Sequence, residues 1–279
     1  MNAVLKLSVL GTALVVMAGC ITTGDTGRPT SETDAATSNV KLGVAYMQQG
    51  NLPLAKEKLE RAEKQDPKNI EAHTSLAVLY ERLGRNEDAE RQFQAALRYA
   101  PDSAEVANNY AVFLCRTGKV EPAIKLFETA AKDQLYRTPW AAHTNAGVCL
   151  RSNKRSADAV PYFERALAMR PDYADAVREL ADLQLELGHP EISLNVVDRY
   201  LAIGRASPDV LLVGVRAALA RGDRVVADNY ARRLRRDFPN SASTRALAQL
   251  LPSQGQSTPQ RLNVLPPPPQ PAPAPAKAK

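Results

Sequence analysis

The chain has 279 residues, enough for one large domain or two ordinary ones, and its 44% apolar residues can bury a sizeable core. Aromatic residues make up only 5%, with the single tryptophan at Trp140, which argues against a stacking platform for single-stranded nucleic acid. The net charge of +6 sits mostly at the ends: Lys6, Arg261, Lys277 and Lys279 leave +2 for residues 21–251, so the central body has no strong electrostatic reason to bind DNA.

The N-terminus carries Lys6 and then an apolar run over residues 7–18, broken only by Ser8, Gly11 and Thr12. That run is too short for a comfortable membrane span, which needs about 20 residues. It ends in Met17-Ala18-Gly19-Cys20, which predicts a signal peptide over residues 1–19. The cysteine after two small residues resembles the bacterial lipoprotein processing site. The resemblance implies that Cys20 becomes the first mature residue, acylated through its sulfur. It also implies, from Ile21 in place of Asp, delivery to the outer membrane with the domain facing the periplasm. Ordinary cleavage beside an incidental cysteine is the alternative. Residues 20–35, rich in Thr, Ser, Gly and Asp, read as a flexible tether from that anchor.

The middle of the chain is periodic. Gly50, Gly84 and Gly118 follow each other at 34 residues, as do Ala55, Ala89 and Ala123, and Ala62, Ala96 and Ala130; Tyr46 and Tyr80, and Pro67 and Pro101, share the spacing. A 34-residue period with small, aromatic and proline positions resembles the tetratricopeptide repeat, a helix–turn–helix unit. The expected fold is an all-α solenoid over residues 36–251, with units at 36–69, 70–103, 104–139, 140–173, 174–207 and 208–241. The third has two extra residues, and the second helices of the last two depart from the pattern, as capping units do. Small residues let paired helices approach, a large residue fills the gap beside them, and stacking buries the face a single unit would leave open. Residues 252–279 contain prolines at 266–269, 271, 273 and 275 and read as a tail without a core, disordered or acting as a spacer or partner ligand.

An enzyme needs a nucleophile with its base, or paired carboxylates, in a pocket. Cys115 with His143 is the one tempting pair, but His143 and His73 share a packing position of the repeat, so no enzyme, cofactor, metal or small-molecule substrate is expected. Cys115 and Cys149 lie 34 residues apart near the ends of neighbouring first helices. In the oxidising compartment implied by the export signal they are expected to form a disulfide, with two buried free thiols as the alternative.

First helices of such arrays line a concave face. The positions concerned offer Val40, Val44 and Met47 in unit one, Thr74 and Val78 in unit two, Asn108, Asn109, Val112 and Arg116 in unit three, and Asn145 and Val148 in unit four. Valine recurs at position 9 of all four units, which suits a peptide or helix with apolar anchors, while the asparagines can hold an extended backbone or bond within the array. A carboxylate clamp is not expected, because Val40, Val44, Asp175 and Glu179 stand where its polar and cationic groups would be.

The lipoprotein signal, the six units and the segments Asn108-Asn109-Tyr110-Ala111-Val112-Phe113-Leu114-Cys115 and Asn145-Ala146-Gly147-Val148-Cys149 together resemble the type IV pilus biogenesis and stability lipoproteins of the PilF/PilW family. The resemblance covers nearly the whole mature domain but not the proline-rich tail. It implies a pilotin: a membrane-anchored protein that binds the type IV pilus secretin and helps it reach the outer membrane and multimerise. A second periplasmic scaffold, for cell-wall hydrolases or outer-membrane assembly factors, would share the anchor and the groove.

Overall fold

A computed structural model describes residues 31–251. The signal peptide, Cys20, most of the tether and the proline-rich tail lie outside the described residues. Thirteen α-helices and no strand occur among the described residues: α1 Glu32–Gln48, α2 Leu52–Gln65, α3 Ile70–Arg82, α4 Asn86–Tyr99, α5 Ala104–Arg116, α6 Val120–Lys132, α7 Pro139–Ser152, α8 Ser156–Met169, α9 Ala174–Glu186, α10 Pro190–Ala202, α11 Pro208–Ala220, α12 Arg224–Asp237 and α13 Ala242–Leu250. The chain divides into two compact units, one ending at Asn109 and the other beginning at Tyr110.

In the first unit, α1 packs on α2, α3 on α4, and α1 on α3. Small residues make this possible: Ala55, Ala62, Ala72, Ala77, Ala89 and Ala96 are fully buried, with Leu59, Leu76 and Phe93 between them. Helix α1 begins at Glu32 on the N-cap Ser31, inside the stretch read as tether, because Ser31 Oγ accepts the Asp34 N–H. Asn51 and Asn69 cap α2 and α3 in the same way.

In the second unit, each helix packs on the next from α6 to α13, and the first helices α7, α9, α11 and α13 also touch their successors. Phe127, Phe163, Val197 and Leu234 fill the gaps between paired helices. Hydrogen bonds one repeat apart stitch successive pairs: Tyr162 donates to Glu128 (2.7 Å), Arg155 to Glu121 (2.8 Å), Arg216 to Asp182 (2.5 Å), and Ser243 to Asp209. Helix α13 stands in the place of a first helix and is the last helix among the described residues; Leu247 and Leu251 are buried in the core it packs on.

Glycine ends the first helix in several repeats, with Gly84 at φ 71°. After α7 the equivalent position is Lys154, the one non-glycine residue with positive φ (62°) among the described residues. Close packing also explains Gly147: a Cβ there would lie 2.6 Å from Cε1 of the buried Phe163 ring.

Candidate functional site

The groove residues divide by burial. Val40 and Met47 are core rather than groove: Val40 is 0% and Met47 7% exposed. Helix α1 is held against both α2 and α3, so its buried stripe is wider than the repeat pattern alone implies. Val44, Thr74 and Val78 are half-buried in the first unit, where Thr74 also donates to the Ile70 carbonyl. Asn108 is half-buried and engaged within the protein, whereas Asn109 is exposed.

In the second unit a concave site of about 380 Å³ brings together Val112 and Arg116 from α5, Phe127 from α6, and Asn145 and Val148 from α7. Its edge is formed by the disulfide between Cys115 and Cys149, whose Cα atoms are 5.7 Å apart. Asn153 braces it, donating to the Cys149 carbonyl at 2.8 Å and approaching Cys115 Sγ at 3.6 Å. Cys115 is therefore not a thiol, and its pairing with His143 as nucleophile and base is closed off. His143 is buried against Tyr162, and burial pulls its imidazole below the ordinary range, with Arg165 adding to the effect. His73 is likewise structural: Nδ1 lies 2.6 Å from Gln92 Oε1 and Nε2 2.9 Å from the Pro67 carbonyl. No cluster of three or more His, Cys, Asp or Glu placed to hold a metal occurs among the described residues.

Position 9 of the repeat shows a change of chemistry along the chain. Val44, Val78, Val112 and Val148 are all half-buried. The same position holds Asp182 in unit five and Arg216 in unit six, and these two bond each other at 2.5 Å. Burial raises the Asp182 carboxyl above its usual range, although Arg216, Arg151 and Arg178 pull it down. Arg151 bonds Glu179 at 2.6 Å and also reaches Glu186. On α9, and at position 9 of α11, the first-helix face thus carries charges that bond one another. The loss of the valine period after Val148 was visible in the sequence; the pairing of its replacements was not.

Models of the tetratricopeptide repeat match residues 46–108, 114–174 and 150–219. The type IV pilus assembly protein PilF of Pseudomonas aeruginosa is 30% identical over 230 residues, 81% of this chain and 91% of that protein. The chain belongs to the tetratricopeptide-repeat family of type IV pilus assembly proteins that includes PilF. Among solved structures, PilW, described as a widely conserved type IV pilus biogenesis factor, superposes with a TM-score of 0.61 at 31% identity, covering 76% of this chain and 97% of that one. The P. aeruginosa PilF structure superposes with a TM-score of 0.60 at 28% identity, covering 79% and 99%. Yeast Tom70, at 22% identity, shares the fold.

Proposed function

We propose that this PilF-family protein is an outer-membrane lipoprotein, anchored through Cys20, whose helical repeats bind the type IV pilus secretin and promote its localisation and multimerisation as a pilotin does. The observation that carries this reading is the joint one of kinship with type IV pilus assembly proteins and an apolar concave site at Val112 and Val148. An anchored protein holding its client raises the client's effective concentration at the membrane, so assembly follows from tethering and needs no covalent chemistry. Several acyl chains on Cys20 would make the attachment stable, since each buried methylene adds about 0.8 kcal/mol.

The test replaces Val112 and Val148 together by Asp. A carboxylate pressed against an apolar anchor is costly, so secretin multimers on a gel should fall steeply while the circular dichroism of the purified variant stays helical. Normal multimer levels with intact helicity would move the binding surface elsewhere. Replacing Cys20 by Ala should release the protein from the outer-membrane fraction and abolish palmitate labelling; retention of both would remove the anchor from the reading.

A further inference from the structure

A second concave feature lies away from the first-helix face. Between α8, α9 and α10 runs a groove of about 550 Å³. Its floor is Val177 and Leu180 of α9, and Leu167, Val196 and Tyr200 form its walls. Ile192 and Ile203 at its lip are 43% and 49% exposed, although both are large apolar side chains.

The repeat pattern explains the gap. Units one to four carry Ala62, Ala96, Ala130 and Ala166 where unit five has Tyr200. They carry Leu59, Phe93, Phe127 and Phe163 where it has Val197. A phenol ring in place of a methyl, and a valine in place of a leucine or phenylalanine, give α10 a different packing surface from the earlier second helices, and the groove lies beside it. Ser193 replaces the alanine of the third such position, and its buried hydroxyl has no hydrogen-bond partner among the described residues.

We infer that the groove between α8 and α10 is a docking site for residues 262–265 of the same chain. Leu262, Val264 and Leu265 are the only large apolar side chains after Leu251. In extended backbone residues 262 and 264 point the same way and can face one wall together, and Pro266 biases Leu265 to the extended backbone such a groove accepts. The prolines at 266–269 that follow have a fixed φ that favours extended backbone, which lowers the ordering entropy of docking. The reach suffices. Helix α13 packs on α11 and α11 on α9. Two helix spacings of about 10 Å and one helix length of about 20 Å place the groove roughly 30 Å from Leu251. The residues from 252 to 262 extend to about 36 Å. Arg261 is the one charge between residues 252 and 276, and Glu164 on α8, opposite Arg199 on α10, lines the groove as a carboxylate it can meet.

The full-length chain contains five isoleucines, two of them at this groove, so isoleucine methyl resonances read the site directly. The variant carrying Leu262→Asp, Val264→Asp and Leu265→Asp should shift Ile192 and Ile203 and leave Ile70 and Ile124 in place. These substitutions lie outside the helical array, and unchanged circular dichroism checks that the array is intact. Coincident isoleucine spectra would refute the docking. A spin label at Gln270→Cys, in a chain with Cys20→Ser, should broaden Ile203 of the isotope-labelled chain that carries it. Broadening only when the label sits on a different, unlabelled molecule would make the occupant a second copy and overturn the proposal.

Discussion

Replacing Cys115 and Cys149 together by Ala removes a cross-link that closes a loop of sequence separation 34, containing α6 and most of α7. In the chain-entropy description, releasing a loop of that length into the unfolded ensemble costs about 3.8 kcal/mol. Cys149 is 2% exposed, so the shortened side chain also leaves a small void worth about 1 kcal/mol. With a urea slope of about 2 kcal/mol per molar, the midpoint of the second unit should fall by roughly 2 M. Urea titration followed by circular dichroism measures this on three samples: the oxidised protein, the same protein with reductant, and the double variant. The oxidised sample should stand alone, with the other two nearly together. A reductant-treated protein that unfolds at the oxidised midpoint would refute the reasoning, because the packing lost in the variant would then be the whole effect.

Lys154→Gly should stabilise by about 1 kcal/mol, visible as a higher urea midpoint, because the lysine holds a positive φ of 62° that glycine adopts without strain. Gly147→Ala should destabilise by about 1–3 kcal/mol through overlap with Phe163, and adding Phe163→Leu should recover part of the loss in a double-mutant cycle. His143 has a native pKa lowered mainly by burial, so below its unfolded pKa the unfolded chain binds the extra proton first. Stability should therefore decline as pH falls through about 6.5 toward the native value, and a His143→Gln variant should show a shallower decline in pH-dependent urea midpoints.

The period of the array was legible because packing repeats it: Ala55, Ala89, Ala123 and Ala159 are buried in four successive units, each on a second helix that must approach its partner closely. The degenerate end was harder. Pro239 marks the close of unit six, yet α13 follows it, since Ser241 Oγ accepts the Thr244 N–H and Leu247 finds an apolar face left open on the preceding pair. The cysteine pair could be placed from the repeat because positions one unit apart on first helices are neighbours in space. Val40 and Met47 escaped the same logic, for repeat position tells which way a side chain points but not how many helices crowd it.

The change at position 9 bears on where a partner can bind. At Val112 and Val148 the face offers half-buried apolar carbon beside a concave site, and covering it releases water at about 25 cal/mol per Å². At Asp182 and Arg216 the face offers two charges already bonded to each other, with Arg151, Glu179 and Glu186 alongside. A ligand there must either leave those pairs exposed, gaining little, or exclude water from them, which demands compensation of several kcal/mol. Apolar anchors are therefore directed to the valine-bearing helices, and the ion pairs from α9 onward act as a boundary. Their network also links α7 to α9 through Arg151 and α9 to α11 through Asp182 and Arg216.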